Sequence, residues 1–205
     1  MCCNAAGGIR LPDSYTRNHS EREENSMFHT ILVGPSGRGR SLWMEALLNA
    51  LPSSLPLWGY RTPKEAADET GRAPIRLYPV GQSAKACGPI LLGWCRDRQA
   101  VSIPEAFDRY AGLVEQAGPG GLLLLDELGP MESRSPRFCR AVLNALSGDT
   151  PILAWVRDLD TPFLAAVRSH PRARCFYPPP ACDPALLETL SAFLAAQLAP
   201  GGRPL

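Results

Sequence analysis

The sequence lacks any segment suited to crossing a membrane. No apolar run approaches the roughly 18 residues that a spanning helix needs, and the N-terminus has no charged stretch followed by an apolar one. Net charge is also almost absent, because 21 Lys and Arg stand against 20 Asp and Glu, for a formal charge of +1. Such a chain has no overall field to attract nucleic acid or an anionic membrane. These absences predict a soluble, cytoplasmic protein without nucleic-acid or membrane partners, and they leave protein partners open.

The cysteines form no disulfide or zinc pattern. There are seven of them, an odd number, scattered along the chain without a CxxC pair or a histidine at zinc-finger spacing. Paired cysteines at regular spacing would be expected of a disulfide framework or a structural zinc site. Reduced thiols are therefore predicted.

What the chain does have is a composition typical of one globular domain. Of its 205 residues, 45% are hydrophobic and 20% are charged, a length and balance that suit a single compact core. Residues 1–26 show little apolar periodicity and predict a flexible N-terminal tail. Residues 27–199 are predicted to fold as one domain and residues 200–205 to form a flexible C-terminus. Met27 stands directly before the first predicted strand and is a candidate for an alternative translation start, which the sequence leaves open.

Apolar periodicity predicts strands and helices in alternation. The leucine run 122–125 is typical of a strand buried on both faces of a parallel sheet. The order of elements predicts a three-layer α/β sandwich with a mainly parallel sheet. Residues 62–71 read as a loop or helical turn, and residues 82–93 give no clear pattern. The predicted strands are 28–33, 55–60, 75–80, 122–125, 152–156 and 174–177, and the predicted helices are 41–51, 104–117, 136–146, 162–168 and 184–198.

A phosphate-binding loop is predicted between the first strand and the first helix. The segment GPSGRGRS matches the pattern GxxxxGK(S/T) at every fixed position except one, where Arg40 replaces lysine. Glycines let such a loop curl so that backbone N–H groups point at phosphates near a helix N-terminus. The Ser41 hydroxyl is a candidate ligand for Mg²⁺. The predicted nucleotide-binding residues are Gly34, Pro35, Ser36, Gly37, Arg38, Gly39, Arg40 and Ser41.

Two adjacent carboxylates complete the candidate site. Asp126 and Glu127 follow the leucine strand, and the carboxyl ends of parallel strands form the crevice where α/β sheets bind ligands. Asp126 is predicted to hold Mg²⁺, and Glu127 to orient or activate an attacking water. The alternative for this pair is an acidic strand cap that faces solvent.

These motifs resemble the small P-loop nucleoside-triphosphatase family known from thermophilic bacteria and represented in humans by a cancer-related nucleoside triphosphatase. The resemblance lies in TILVGPSGRGRS, GYRT, LLLLDELGPMES and RARCFYP, and it spans residues 27–196. It implies the P-loop NTPase fold and slow, Mg²⁺-dependent hydrolysis of ATP, GTP and other nucleoside triphosphates. It also implies catalytic roles for Glu127 and for the residue at position 40, and a supporting role for Glu132, which could equally be a charge at a helix N-terminus.

Two residues depart from the family pattern. Arg40 stands where the family has the phosphate-loop lysine, and Pro130 stands where it has a basic residue. A planar guanidinium is bulkier than the point charge of lysine, so turnover is expected to suffer more than binding. A nucleotide-binding module without turnover and a small-molecule kinase remain alternatives. Arg157 could replace the lost cation, although a surface ion pair with Asp158 or Asp160 is the favoured interpretation.

Overall fold

The computed structural model describes residues 27–97 and 99–199. The two predicted tails, 1–26 and 200–205, therefore lie outside the described residues. The domain predicted over 27–199 holds eight strands and six α-helices. The strands are β1 (His29–Gly34), β2 (Leu57–Arg61), β3 (Ala73–Pro79), β4 (Ile90–Arg96), β5 (Gln99–Ser102), β6 (Leu122–Leu128), β7 (Ile152–Arg157) and β8 (Ala173–Phe176), and the helices are α1 (Arg38–Asn49), α2 (Ser83–Ala86), α3 (Pro104–Glu115), α4 (Pro136–Ser147), α5 (Pro162–Arg168) and α6 (Pro184–Leu198).

All strands join one sheet in the order β5-β4-β3-β2-β6-β7-β1-β8. Strands β2, β6, β7, β1 and β8 pair in parallel. Strands β3, β4 and β5 extend the β2 edge as antiparallel neighbours. The prediction of a mainly parallel sheet is confirmed, and the parallel strands bring their carboxyl ends to one edge.

Helices cover both faces of the sheet, which confirms the three-layer architecture. Because side chains alternate along a strand, the leucine run of β6 serves both layers. Leu123 and Leu125 pack with helices α3, α4 and α5, whereas Leu122 and Leu124 pack with α1 and α6. All four leucines are fully buried, as expected of a central parallel strand.

The structure differs from the sequence prediction in the middle of the chain. Residues 82–93, which gave no pattern, form the short helix α2 and the first part of β4, and β5 was not predicted. Strand β5 is a mostly exposed edge strand and β4, its neighbour, is only partly buried, so their residues lack the strict apolar alternation that marks a buried strand. Helix α1 also starts three residues earlier than predicted, at Arg38, because polar and glycine residues of the phosphate loop fill its first turn.

No helix among residues 27–97 and 99–199 has the length and apolar character needed to span a membrane.

Candidate nucleotide-binding site

One glycine, two arginines and one aspartate lie at the carboxyl edge of the parallel strands. Gly34 ends the pairing of β1 and lies opposite Arg157 at the end of β7. Arg61 at the end of β2 lies opposite Asp126 in β6. The sheet therefore brings the phosphate loop and the acidic pair to one crevice, which is where α/β sheets bind ligands.

The phosphate loop leaves the sheet at Gly34 and enters α1 after Gly37. A Cβ on Gly34 would lie 2.9 Å from the Trp155 ring, and the Trp155 indole N–H donates to the Gly34 carbonyl at 3.2 Å. Gly37 has a φ of 128°, a conformation that other residues rarely adopt. Residues 35–38 are exposed, so the loop backbone at the start of α1 is accessible to an anion.

Gly39 is required for a different reason, the close approach of another segment. A Cβ at this position would lie 2.8 Å from the Pro180 carbonyl oxygen. One turn further, the Trp43 indole donates to the Pro179 carbonyl at 2.7 Å. The segment before α6 thus packs directly on the first turns of α1 and holds the helix in position.

Arg40 lies against the acidic pair in this structure. Its Nη1 donates to Glu127 Oε2 at 2.7 Å and lies 3.4 Å from Asp126 Oδ1. Its Nη2 donates to the Thr62 carbonyl at 2.9 Å. The residue is only 6% exposed, so the predicted phosphate-binding residue is buried as the partner of both carboxylates.

Residues of β2 and the loop after it brace this arrangement. The Thr62 hydroxyl donates to the Asp126 carbonyl at 2.7 Å, and the Tyr60 hydroxyl donates to the Glu127 carbonyl at 3.3 Å. Thr62 Oγ1 also accepts from Arg40 Nη1 at 3.2 Å. Two side chains of one segment therefore fix the backbone that carries the acidic pair.

Two further arginines approach the same carboxylates. Arg61 Nε lies 3.7 Å from Asp126 Oδ2, and Arg157 Nη1 lies 3.4 Å from Glu127 Oε1. Both side chains are about one-third exposed. The favoured interpretation of Arg157 as the partner of Asp158 or Asp160 is wrong, because β7 ends beside β6 and aims the guanidinium at Glu127.

Asp126 is buried, which also excludes the solvent-facing acidic cap. The residue is 2% exposed. Burial raises the pKa of its carboxyl group, and the positive charges of Arg40 and Arg61 oppose that rise. Charge at this position therefore depends on nearby cations, since a carboxylate without them would be costly to bury.

Glu132 supports the loop that follows β6. Its Oε2 accepts from the Gly129 backbone N–H at 2.8 Å, and burial raises its pKa to about 7. A Cβ on Gly129 would lie 3.2 Å from Glu132 Oε2 and 3.3 Å from Arg157 Cγ. The side chain starts a short 3₁₀ turn, Glu132–Arg134, but it is turned inward, so its contacts favour the supporting role.

The residues present are compatible with Mg²⁺. Asp126 Oδ1 is a buried oxygen without a hydrogen-bond partner among the described residues, and hard oxygen donors are what Mg²⁺ prefers. Within residues 27–97 and 99–199, no three His, Cys, Asp or Glu side chains gather around a possible metal position. An Mg²⁺ ion here would therefore take most of its ligands from phosphate and water, which is common for this metal.

The chain matches a known protein family over more than half of its length. The sequence model of the NTPase family matches residues 29–177, which is well over half of the chain. The chain belongs to the NTPase family. The match runs from β1 to the end of β8 and includes the phosphate loop and the acidic pair.

Two known nucleoside-triphosphatase proteins are similar to this chain over different shares of its length. The nucleoside-triphosphatase THEP1 of Thermofilum pendens is 45% identical over 40 residues, which are 20% of this chain and 22% of that protein. The match thus spans only about a fifth of that relative's length. The crystal structure of THEP1 from the hyperthermophile Aquifex aeolicus superposes with a TM-score of 0.60 at 17% identity, covering 79% of this chain and 96% of that one. That likeness supports the fold.

Sequence reasoning missed three residues of this candidate site. Arg61, Thr62 and Tyr60 belong to the GYRT segment, which carried the family resemblance but received no role. The available signal was their position just before and after the end of a predicted strand, since the ends of parallel strands share one edge. Which side of β6 receives β2 could not be derived from the sequence.

Proposed function

We propose that this chain is a Mg²⁺-dependent nucleoside triphosphatase that slowly hydrolyses ATP, GTP and other nucleoside triphosphates to the diphosphate and phosphate in the cytoplasm. The observation that carries the proposal is the meeting of the phosphate loop with Asp126 and Glu127 at one sheet edge in a chain of the NTPase family. An anion-binding loop next to two carboxylates is the arrangement that phosphoryl transfer to water requires.

Each part of the site has a proposed role. The backbone N–H groups of residues 36–39 bind the phosphates at the N-terminus of α1, where the helix dipole favours negative charge. Ser41 and Asp126 would hold Mg²⁺, which would neutralise developing negative charge on the phosphates. Glu127 orients the attacking water and accepts its proton.

Two partly exposed arginines place positive charge beside the acidic pair. The Arg157 guanidinium is partly exposed beside Glu127, so it can reach the γ-phosphate when a nucleotide binds. This supplies positive charge that Pro130 does not provide, and positive charge near the transferred group stabilises the transition state. Arg61 occupies a similar position beside Asp126.

Slow turnover follows from how Glu127 is held. Its Oε2 accepts from Arg40 at 2.7 Å, and its Oε1 lies 3.4 Å from Arg157. Both oxygens are thus engaged by cations, so in this conformation Glu127 is not free to turn toward a water molecule. Loss of at least one of these contacts is expected to precede hydrolysis.

The proposal is tested by phosphate release with ATP, GTP, CTP and UTP, each with Mg²⁺ and with chelator. We expect Mg²⁺-dependent release of the terminal phosphate from all four, with nucleoside diphosphate as the second product. Asp126→Asn provides the matched control, because it keeps the side-chain shape and removes the charge that holds the metal. Release that is equal in parent and Asp126→Asn, or unaffected by chelator, would contradict the proposal.

A nucleotide-binding module without turnover is the second candidate. The contacts of Arg40 favour it, because this side chain engages both carboxylates that hydrolysis needs. Such a module would bind a non-hydrolysable triphosphate by calorimetry and release no phosphate above the buffer blank. Turnover by the parent that Glu127→Gln abolishes would exclude this candidate.

The small-molecule kinase alternative needs an acceptor pocket next to the phosphate loop. A described cleft with a volume of about 390 Å³ lies between the start of β4 and α3. None of the site residues lines it. Its lining residues are Cys87, Gly88, Pro89, Ile90, Leu91, Ile103, Glu105, Ala106 and Arg109.

A further inference from the structure

Arg40 occupies a position that a lysine could fill only in part. Its Nη1 contacts Glu127 at 2.7 Å and Asp126 at 3.4 Å, while Nη2 donates to the Thr62 carbonyl at 2.9 Å. A planar guanidinium can present several donors at fixed angles, whereas an ammonium is one compact charge on a flexible stem. The two terminal nitrogens thus serve both carboxylates and a backbone carbonyl at once.

The charges around the acidic pair are balanced by protein alone. Arg40, Arg61 and Arg157 each lie within 4 Å of Asp126 or Glu127. Three guanidinium groups against two carboxylates leave an excess of one positive charge. In this state a metal ion is not required to neutralise Asp126 and Glu127, because the arginines already offset the cost of burying the two carboxylates.

The arrangement nevertheless leaves three buried polar atoms unsatisfied among the described residues, namely Arg157 Nε and two atoms where Arg40 meets Asp126. Arg40 Nε and Asp126 Oδ1 have no hydrogen-bond partner, although Oδ1 lies within ion-pair distance of Nη1. A buried donor or acceptor without a partner is unfavourable. A metal ion at Asp126 Oδ1 and a phosphate oxygen at Arg40 Nε would satisfy these two atoms, so the bound arginine can be exchanged for ligands.

We propose that the Arg40 guanidinium is a tethered counter-cation that competes with Mg²⁺ for Asp126 and Glu127, so that the metal binds only when the arginine leaves. The inference rests on the proposed function, because it takes the assignment of Mg²⁺ to Asp126 from there. Departure of Arg40 frees Glu127 Oε2 and makes the guanidinium available to phosphate. Mg²⁺ binding and arginine release are then one coupled event.

The test is thermal unfolding with Mg²⁺ alone as the probe, without nucleotide. Parent, Arg40→Met and Arg61→Met are each unfolded in chelator and in millimolar MgCl₂, with NaCl added to equalise ionic strength. Both variants remove one positive charge near Asp126, but only Arg40 contacts both carboxylates. We expect MgCl₂ to raise the Tm of Arg40→Met by about 3 °C more than that of parent or Arg61→Met, since a ligand stabilises the state it binds.

The outcomes separate the inference from its alternatives. A larger Mg²⁺ shift in Arg40→Met that disappears when Asp126→Asn is added supports the competition. An equal shift in parent and Arg40→Met would overturn it. An equal increase in Arg40→Met and Arg61→Met would also overturn it, because the effect would then be one of local charge and not of the position of Arg40.

A second measurement covers the case in which Arg40→Met fails to fold. Arg40→Lys keeps a positive charge but cannot make all the contacts of the guanidinium. The Kd for a non-hydrolysable ATP analogue is measured by calorimetry with Mg²⁺ and with chelator. We expect the ratio of the two Kd values to be about tenfold larger for Arg40→Lys than for parent, and equal ratios would overturn the inference.

Failure of the proposed function gives a different result from failure of this inference. If the parent and its folded variants bind no nucleotide while Mg²⁺ still stabilises Arg40→Met selectively, the competition stands and the triphosphatase proposal falls. If nucleotide binds and is hydrolysed while the Mg²⁺ shifts are equal, the triphosphatase proposal stands and the competition falls.

Discussion

Glu132 and His29 are buried groups whose ionisation should pull stability in opposite directions as pH changes. Burial raises the pKa of Glu132 from 4.5 to about 7, with Glu127 raising it further and the Gly129 N–H and Arg157 opposing. Burial lowers the pKa of His29 from 6.5 to about 4, while its Nε2–H donates to the Leu146 carbonyl at 2.8 Å. Neither group is accessible enough for solvent to screen these effects strongly.

The direction of each effect follows from which state binds more protons. Between about pH 4.5 and 7 the native state keeps the Glu132 proton and the unfolded state loses it, so this contribution to stability falls as pH rises. Between about pH 6.5 and 4 the unfolded state protonates histidine and native His29 stays neutral, so this contribution falls as pH drops. The charges facing His29 are Arg172 and His170, which lower its pKa, and Asp149, which raises it.

The two contributions are of similar size. The pKa of His29 falls from 6.5 to about 4 and that of Glu132 rises from 4.5 to about 7. A change of 1 in pKa corresponds to about 1.36 kcal/mol, so each group contributes about 3 kcal/mol over its pH range. In the parent, the pH-dependent contributions of Glu132 and His29 to the free energy of unfolding largely cancel between pH 4.5 and 6.5. Replacing one of the two residues should therefore make the pH dependence due to the other measurable.

Matched substitutions separate them. Glu132→Gln keeps an oxygen that can accept from Gly129, and His29→Gln keeps a donor for the Leu146 carbonyl. The free energy of unfolding in urea is measured from pH 4.5 to 7.5 for the parent and both variants. Relative to the parent, stability of Glu132→Gln should rise with pH by about 3 kcal/mol, and that of His29→Gln should fall by a similar amount.

Other titrating groups are common to all three proteins and drop out of these differences. Curves for parent and variant that run parallel across this range would refute the reasoning. That result would mean that the burial of Glu132 or of His29 does not shift its ionisation as the structure implies.

Three further predictions concern the phosphate loop and the N-terminal tail. In calorimetry, Ser41→Ala should weaken nucleotide binding in Mg²⁺ about tenfold, or about 1.4 kcal/mol, while affinity in chelator stays close to that of the parent. Equal losses of affinity in both conditions would exclude Ser41 as a metal ligand. Gly39→Ala should lower stability by about 1–3 kcal/mol in urea unfolding, because its Cβ meets the Pro180 carbonyl, whereas Gly88→Ala, which meets nothing within 4 Å, should be close to neutral; similar losses would contradict this account. Removal of residues 1–26 should leave the Tm within a few degrees of the parent, and a larger drop would mean that the tail docks on the domain.

Much of the fold could be predicted because the buried strands carry their own signal. The run Leu122–Leu125 can only be buried on both sides, and prolines mark the starts of α3, α4, α5 and α6. Strands β4 and β5 lack such a signal, because β5 is mostly exposed at the edge of the sheet and β4, next to it, is only partly buried. These two strands form by antiparallel pairing with each other and with β3, outside the parallel part of the sheet.

The site was only partly predictable for a related reason. The phosphate loop and acidic pair are local motifs, so spacing reveals them. The conformation of Arg40 depends on Glu127 and Thr62, which are 87 and 22 residues away in sequence. No local pattern specifies that an arginine in a phosphate loop turns toward the carboxylates, and the partner of Arg157 was missed because it too lies on another strand.

The most direct test of the proposed activity compares Glu127→Gln with the parent in two assays on the same preparations. One assay measures phosphate release at saturating Mg²⁺ and ATP, and the other measures the Kd of a non-hydrolysable ATP analogue. Removing a general base typically costs about a hundredfold or more in rate, while the amide keeps the shape of the side chain. We predict that Glu127→Gln loses phosphate release and binds the analogue within about threefold of the parent. Equal rates in the two proteins, or no analogue binding by the parent at millimolar concentration, would contradict the account.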